Sequence, residues 1–297
     1  MKKILIAGAT GNLGPHLVKE LVSHGHQVSA MLRPASIANL DKVNPLKKMG
    51  VHLVEGDLNN PETLYAPCQG QDVVLSAVGG EQIMMQTDLA KAAAAAGVER
   101  FVPSEFGLDP HAAGPGSCDL FDAKSAVQGQ IKATGIPTTM IYSNGFMEFW
   151  GTGLGQLGPT SPPAEVQLFG NGQTPAYMCT LSDIARYTAL IIEDANTLDG
   201  EVVISTNPIT QEDLIKLWEA KSGNSVVRQI ISPKELDSII NAATAPEEMM
   251  TRIFTQLHRS VWVRSDCNKI RPEVLPATEL YPQITAIDQS QYFQYFL

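Results

Sequence analysis

The chain has 297 residues, of which 44% are hydrophobic and 18% charged, so it is long and apolar enough to fold around a large core. Its net charge of −10 excludes a general electrostatic attraction for nucleic acid or anionic lipid. The four cysteines lie far apart, so we predict no metal site and interpret them as buried apolar residues. No apolar run is long enough for a signal peptide or a membrane span, so we expect a soluble, cytoplasmic protein without a membrane partner.

Strand and helix patterns alternate along the first half of the chain. Short apolar runs predict strands at 3–7, 27–32, 51–55, 72–77, 100–103 and 137–142. Apolar residues at helical spacing predict helices at 13–25, 82–96 and 119–134. This alternation indicates βαβ units and therefore an α/β fold with a Rossmann-type, doubly wound parallel sheet.

The second half of the chain has a different pattern. Residues 145–172 are rich in Gly and Pro with interspersed aromatic residues, typical either of a substrate-facing segment or of a surface connection. A helix at 180–193 and a strand at 200–206 follow, and later segments are mainly helical: 211–221, 233–242, 246–258 and a segment from 288. We predict a nucleotide-binding domain over 1–150, with 180–206 returning to it. Residues 151–179 and 207–297 would form a smaller, mainly helical C-terminal substrate lobe.

A glycine-rich turn separates the first predicted strand from the first predicted helix. Its residues are Gly8, Ala9, Thr10, Gly11, Asn12, Leu13 and Gly14. Glycine lacks the Cβ that would block a pyrophosphate, and the free N–H groups at the start of the helix face the phosphate charge. Because the turn follows a buried strand and precedes an amphipathic helix, a dinucleotide site is favoured over a simple tight turn.

The end of the second predicted strand indicates which dinucleotide is bound. Arg33 stands where NAD-preferring proteins usually carry an acidic residue, and arginine suits the 2′-phosphate of NADP. We therefore predict NADPH/NADP+ as the cofactor, although a solvated arginine would give the same sequence. Lys42 either assists Arg33 or is an exposed charge, and Asp57 either meets the adenine or caps a loop.

Lys124 is the candidate catalytic residue, because its helix follows the fifth predicted strand near the expected nicotinamide position. Short-chain dehydrogenases normally carry Tyr four residues before such a lysine, but Leu120 occupies that position here. Either Lys124 therefore acts without a tyrosine, or the protein does not catalyse a reaction. A solvated helix lysine is the simpler structural alternative.

Several motifs resemble one family of atypical short-chain reductases. The matching segments are 8–14, 102–107 (VPSEFG), 121–124 (FDAK), 136–137 with 143–146 (SNGF), 258–263 (HRSVWV) and 279–282 (ELYP). They are similar to isoflavone reductase, pinoresinol–lariciresinol reductase, phenylcoumaran benzylic ether reductase and eugenol synthase, within the wider NmrA-like group. The resemblance covers nearly the whole chain, and the PSEFG segment with its following lysine is fairly specific.

The resemblance implies an NADPH-dependent oxidoreductase that transfers hydride to a phenylpropanoid-like aromatic substrate, either a benzylic ether or ester or an enone. Lys124 would act as general base on a phenol, whose ionisation expels the benzylic oxygen and leaves a quinone methide to accept the hydride. A lysine base must be neutral before it accepts a proton, and an apolar pocket favours the neutral amine by desolvation. The family also suggests a homodimer and a small phenolic ligand.

The same resemblance implies further cofactor contacts. They are Val78, Gly79, Ser104, Glu105, Phe106, Lys124, Asn144 and Phe146. Asn144 would alternatively cap a turn, and Phe146 would alternatively be a core residue. The chain departs from the plant enzymes at Gln128, where they commonly have Arg, and at Gly145, where they usually have a bulkier residue.

Two other functions fit the cofactor motif. One is a non-catalytic NADP(H)-sensing NmrA-like regulator, and the other is an NADPH:quinone reductase, which needs no base for a phenol. Lys124 together with the PSEFG segment favours an enzyme over a sensor, because a sensor does not need a lone buried base. No comparable feature argues against quinone reduction.

Overall fold

The strands of the first half of the chain form one parallel sheet in the computed structural model. They are β1 (Lys3–Ala7), β2 (Gln27–Leu32), β3 (His52–Glu55), β4 (Val73–Ser76) and β5 (Arg100–Val102), in the spatial order β3-β2-β1-β4-β5. Strand β1 pairs in parallel with both β2 and β4, so the glycine-rich turn leaves the sheet at its centre. This strand order is that of a Rossmann half and confirms the predicted doubly wound parallel sheet.

Thirteen α-helices accompany the strands in the described chain. They are α1 (Gly14–Ser23), α2 (Pro34–Ile37), α3 (Leu40–Lys48), α4 (Tyr65–Cys68), α5 (Gln86–Ala95), α6 (Pro110–Ala113), α7 (Asp119–Lys132), α8 (Leu181–Glu193), α9 (Gln211–Ser222), α10 (Pro233–Ala242), α11 (Met249–Trp262), α12 (Ala277–Leu280) and α13 (Gln289–Tyr292). The helix predicted at 82–96 is 3₁₀ over Gly80–Met85 and becomes α-helical only at Gln86.

The later strands form smaller sheets. They are β6 (Met140–Tyr142), β7 (Gly145–Phe146), β8 (Glu165–Phe169), β9 (Pro175–Cys179), β10 (Glu201–Val203), β11 (Pro208–Thr210), β12 (Val227–Ile231) and β13 (Leu275–Pro276). β8 pairs in parallel with β12, and β9 lies between β7 and β11. The sequence prediction missed β7, β8, β9, β11, β12 and β13, because each is a short run within Gly- and Pro-rich or helical surroundings.

The structure describes residues 1–297, apart from the side chain of Tyr295. The chain divides into a first unit (Met1–Phe106, Ala123–Ile141 and Ile184–Val202) and a second unit (Gly107–Asp122, Tyr142–Asp183 and Val203–Leu297). These units are defined by backbone contacts, so the functional domain boundaries expected from the sequence stay a prediction.

Each unit has a hydrophobic cluster of its own. The cluster of the first unit is mainly aliphatic and packs Leu89, Ala90 and Ala93 of α5 with Phe101 of β5. The small alanine side chains let α5 lie close to its neighbours. The cluster of the second unit is rich in aromatic residues, including Trp150, Phe169, Trp218, Trp262 and Phe293.

All four cysteines are free and buried, which confirms their interpretation as apolar packing residues. Burial raises the pKa of the Cys68 and Cys267 thiols to about 12, so neither is a ready nucleophile. Over the described residues, no helix combines the length and apolar character that crossing a membrane would require.

Candidate functional site

The glycine-rich turn of the first unit has the geometry of an anion cradle. Gly8 has a φ of +88°, and a Cβ added to it would lie 2.5 Å from the Ala77 carbonyl oxygen, so this position requires glycine. The Gly11 N–H donates to the Gly8 carbonyl at 3.0 Å and closes the turn. Helix α1 then begins at Gly14 with no side-chain cap and no acidic residue in its first turn. Its first N–H groups therefore face the turn without a side-chain partner.

A cavity of about 250 Å³ opens beside this turn. Seven residues predicted to contact the cofactor line it: Gly8, Thr10, Gly11, Arg33, Lys42, Val78 and Gly79. Arg33 and Lys42 are both exposed, so their charges are available to an anionic ligand. The structure thus brings two cations, one from the N-cap of α2 and one from α3, to the cavity that contains the phosphate turn. Ala9, Asn12, Leu13 and Gly14 belong to the turn but are not among the lining residues.

The cavity also contains residues that the sequence analysis did not select. Ser36 lies one helical turn beyond Arg33 in α2, and Gln82 lies in the 3₁₀ segment after β4. The position of Ser36, three residues after Arg33, was a usable signal, because Arg33 is the N-cap of α2 and its carbonyl accepts the Ser36 N–H at 2.8 Å, which keeps the two residues close together. Asp57 lines the cavity too, while its carboxylate accepts hydrogen bonds from the N–H and the side-chain amide of Asn59. These contacts fit the interpretation of Asp57 as a residue that caps a loop.

Lys124 is buried in the first unit, and among the residues that the structure describes it is the one buried lysine. Its Nζ donates to the carbonyl oxygen of Glu105 at 2.5 Å and to that of Ser104 at 3.3 Å. The Glu105 carboxylate Oε2 lies 3.6 Å from the same Nζ. The alternative of a solvated surface lysine is therefore wrong.

Ser104 connects the segment that contacts Lys124 with the wall of the cavity. Its hydroxyl donates to the Val78 carbonyl at 2.6 Å, and its N–H donates to the side-chain carbonyl of Gln86 at 2.8 Å. Gln86 is fully buried, and the sequence analysis did not identify it. A glutamine inside a predicted helix, here 82–96, carries no sequence signal that separates this role from an exposed position.

Phe106 completes the segment that begins with Ser104. It is buried, and its φ of +23° is unusual for a residue with a side chain. Its N–H donates to the Ile141 carbonyl at 2.9 Å, which holds the segment beside the strand that follows α7. Backbone held in a sparsely populated conformation is common where a loop must present groups at a site.

Asn144 and Phe146 belong to the second unit. Asn144 has a φ of +55°, and its amide donates to the Ile204 carbonyl at 3.0 Å and to the Ser205 hydroxyl at 3.3 Å. These contacts fit the turn-stabilising interpretation of Asn144. The Phe146 ring is 5.5 Å from that of Phe149, and Phe149 is exposed. The cofactor contacts inferred for Asn144 and Phe146 stay predictions.

The two departures from the plant enzymes have different surroundings. A Cβ on Gly145 would lie 2.6 Å from the Met178 sulfur and 3.1 Å from the Trp150 ring, so a bulkier residue requires repacking of the second unit. Gln128, where the plant enzymes commonly have arginine, is 1% exposed. A glutamine carries no charge, so this buried position lacks the cation that an arginine would bring.

His258, within the HRSVWV motif, is a packing residue of the second unit. Its ring stacks on Phe169 at 4.3 Å and meets Trp150 edge-on at 5.4 Å. Its Nε2 accepts the Leu157 N–H at 3.1 Å. Burial lowers the pKa of His258 to about 4, so the ring is neutral at pH 7.

His24, His26 and Glu193 form a cluster elsewhere in the first unit whose ligand atoms lie within 4.8 Å of one another. His26 Nδ1 accepts the Lys2 N–H at 3.1 Å, so a neutral His26 carries its proton on Nε2, which lies 2.8 Å from Glu193. That proton occupies the nitrogen that would bind a metal ion. His24 Nδ1 lies 3.2 Å from the same Glu193 oxygen, so the three side chains contact one another.

Comparisons with known proteins give the relatives of this chain. The model of the NmrA-like family matches residues 1–290. An isoflavone reductase homolog A622-like protein of Nicotiana tabacum is 33% identical, over 99% of this chain and 98% of its own length. Bifunctional pinoresinol-lariciresinol reductase 1 of Linum usitatissimum is 31% identical, over 99% of both chains.

Solved structures give the same result. A structure of AtPrR2 with NADP+ and (+)pinoresinol is 29% identical with a TM-score of 0.88, covering 100% of this chain and 99% of the other. Leucoanthocyanidin reductase of Vitis vinifera with NADPH is 27% identical with a TM-score of 0.85, covering 99% of each chain. The resemblance read from the glycine turn, the PSEFG segment and Lys124 is thereby confirmed, and this chain belongs to the NmrA-like family together with the isoflavone and pinoresinol-lariciresinol reductases.

Proposed function

We propose that this protein is an NADPH-dependent reductase of small phenolic, phenylpropanoid-like compounds, with Lys124 as its general base. Support for a reductase comes from relatives named as isoflavone reductase homologs and pinoresinol-lariciresinol reductases. Support for the cofactor comes from structural neighbours described with NADP+ or NADPH. The observation that carries the base assignment is the burial of Lys124 with its Nζ held by the PSEFG segment.

The first unit fits a dinucleotide phosphate. The Gly8 cradle and the uncapped start of α1 would hold the pyrophosphate, and Arg33 with Lys42 would hold the 2′-phosphate. When bound, NADPH supplies the hydride that reduces the substrate carbon. Thr10, Val78 and Gly79 line the same cavity and would lie against the cofactor.

Lys124 would move one proton during the reaction. Its neutral amine takes the proton of the phenol O–H, and the bonding electron pair stays on the phenolate oxygen. That electron pair then moves through the ring and breaks the bond between the benzylic carbon and the ether oxygen. The departing alkoxide takes the proton back from the Lys124 ammonium, and the product phenolate is protonated by water after the carbon is reduced.

The base assignment is tested with paired substrates. NADPH oxidation is measured with a phenolic benzylic ether and with its O-methylated analogue, which has no proton to lose. We expect the wild-type protein to reduce only the free phenol and Lys124→Ala to lose turnover by about 10²- to 10⁴-fold while still binding NADPH. Lys132→Ala, a change of an exposed lysine on the same helix, serves as the control and should keep turnover.

Four results would contradict the proposal. Unchanged turnover in Lys124→Ala, or equal reduction of the methylated analogue, would remove Lys124 as the base. Reduction of quinones alone, unaffected by Lys124→Ala, would identify a quinone reductase. Binding of NADPH without oxidation by any phenol, enone or quinone would indicate a sensor. The homodimer stays a prediction that light scattering checks.

A further inference from the structure

Lys124 and Glu105 form a buried pair of ionisable side chains in the first unit. The side chain of Glu105 is 0% exposed and that of Lys124 is 8% exposed. The Glu105 Oε2 lies 3.6 Å from the Lys124 Nζ. Removing either charge from water is unfavourable, and leaving one of two buried charges without its partner is worse. The pairing therefore constrains what Lys124 can do chemically.

Glu105 contacts Lys124 through its main chain as well as through its side chain. The Lys124 Nζ donates to the Glu105 carbonyl at 2.5 Å and to the Ser104 carbonyl at 3.3 Å. The Glu105 N–H in turn donates to the Pro103 carbonyl at 2.8 Å. Ser104 is bound on both sides, to Gln86 and to Val78. The carboxylate is consequently carried by a segment whose position is fixed by hydrogen bonds within the first unit.

We propose that Glu105 is a positioning residue that balances the charge of Lys124 during proton transfer. This inference rests on the proposed function, in which Lys124 takes the proton of a phenol. The proton makes Lys124 a cation at a site with little access to water. The Glu105 carboxylate, which carries the opposite charge, stabilises that cation and so makes Lys124 a stronger base. No proton moves to or from Glu105, which remains a carboxylate throughout.

The other charged side chains of α7 each have a partner of their own. On α7 itself, the Asp119 carboxylate pairs with Arg252 at 2.6 Å, and Asp122 accepts the Gly116 N–H at 3.0 Å. Lys132, at the end of α7, pairs with Glu201 at 3.0 Å. The charged side chain that faces Lys124 from the segment after β5 is that of Glu105. The carboxylate of Glu105 is therefore the group to change.

The test compares pH profiles of kcat/KM for the wild-type protein and Glu105→Gln, with the phenolic ether that the wild type reduces fastest. Glutamine keeps the shape of the side chain but removes its charge, so the ammonium of Lys124 loses its stabilisation. We expect the ascending limb to move to lower pH by about 1 unit or more, and the plateau to fall by about tenfold because the base is weaker. A merely structural role would lower the plateau without moving the limb, and an unmoved limb overturns the proposal.

Glu99→Gln is the matched control, because Glu99 is an exposed glutamate of the same unit. It should reproduce the wild-type profile. Where Glu105→Gln does not fold, Glu105→Asp takes its place. The shorter side chain withdraws the carboxylate without removing it, so the limb should move in the same direction by a smaller amount. A limb that does not move in Glu105→Asp would overturn the proposal equally.

A second measurement does not depend on activity. The free energy of unfolding in urea is compared for Lys124→Met, Glu105→Gln and the double variant. If the two side chains form a charge pair, each single change leaves one buried charge alone, and the double variant loses less stability than the sum of the two. Additive losses contradict the pairing. Turnover that survives Lys124→Ala contradicts the proposed function instead, so the two failures are distinguishable.

Discussion

Each unit buries a nitrogen base, Lys124 in the first unit and His258 in the second, and the surroundings of the two differ. Lys124 is surrounded by acceptors, namely two main-chain carbonyls and the Glu105 carboxylate. His258 lies between aromatic rings and receives one N–H, from Leu157. The surroundings of Lys124 offer oxygen acceptors to its amine, whereas burial among aromatic rings lowers the pKa of His258 and so disfavours a second proton on its ring.

The difference shows that burial of an ionisable group does not by itself mark an active centre. Both residues lie within motifs of the same family resemblance, and a sequence comparison gives them equal weight. Their partners separate them, because the oxygen acceptors around Lys124 can receive hydrogen bonds from its amine, whereas the aromatic rings stacked on His258 offer no such acceptor. Changes at the site residues of the first unit should therefore alter ligand binding or turnover as well as stability, whereas changes in the aromatic cluster of the second unit should alter stability alone.

The largest expected effect on stability comes from a change in the glycine-rich turn of the first unit. Gly8→Ala should lower the free energy of unfolding by about 3 kcal/mol or more, because it combines a positive φ with a collision at the Ala77 carbonyl. Gly97→Ala is the control: Gly97 has a φ of +76° and nothing within 4 Å of an added Cβ, so about 1 kcal/mol is expected. Urea denaturation measures both, and equal losses would show that the close approach to Ala77 is unimportant.

The second prediction concerns the pH dependence of stability. The pKa of His258 is about 4 in the folded protein against 6.5 for an unperturbed histidine. The unfolded chain therefore binds the proton first as the pH falls, so His258 contributes stability above pH 6.5 that is lost between pH 6.5 and 4. The loss should be about 3 kcal/mol.

His258→Gln isolates this contribution. It should flatten the dependence of the unfolding free energy on pH in that window and leave kcat unchanged at pH 7.5. His52→Gln, at an exposed position, should behave like the wild type. A wild-type pH dependence in His258→Gln, or a loss of turnover, would break the distinction between the two regions.

Arg33→Ala tests whether the cation beside the phosphate turn serves the ligand. We expect the Kd for NADPH to rise about 30-fold, equivalent to about 2 kcal/mol, and the Kd for NADH to change little. Lys47→Ala, an exposed change on α3 outside the cavity lining, is the control. Fluorescence titration gives both constants, and equal losses for NADPH and NADH would remove the 2′-phosphate assignment.

The smallest effect is expected at Ser104, whose hydroxyl joins the segment after β5 to the wall of the cavity. Ser104→Ala removes the buried hydrogen bond to the Val78 carbonyl and should cost about 1 kcal/mol of stability. Ser23→Ala removes a similar bond to the Glu20 carbonyl at an exposed position and should cost a few tenths of that. Thermal denaturation compares them, and an equal loss would show that the Ser104 bond carries no additional weight.

The sequence by itself determined the features that depend on neighbouring residues. Apolar runs and helical spacing predicted β1 to β5 within about one residue of their ends. The glycine spacing predicted a turn that the Gly8 geometry explains, and Leu120 four residues before Lys124 excluded the usual tyrosine–lysine pair. Each of these signals lies within a short segment, where local stereochemistry decides the structure.

Only the tertiary structure decided which distant residues meet. Ser104 lies 26 residues from Val78 and Lys124 lies 19 from Glu105, and no local pattern encodes either contact. The same reason explains why Gln86 and the paired strands β8 and β12 escaped prediction. Their stabilisation comes from partners far away along the chain. The sequence pointed to Lys124, and folding placed the Glu105 carboxylate 3.6 Å from its Nζ.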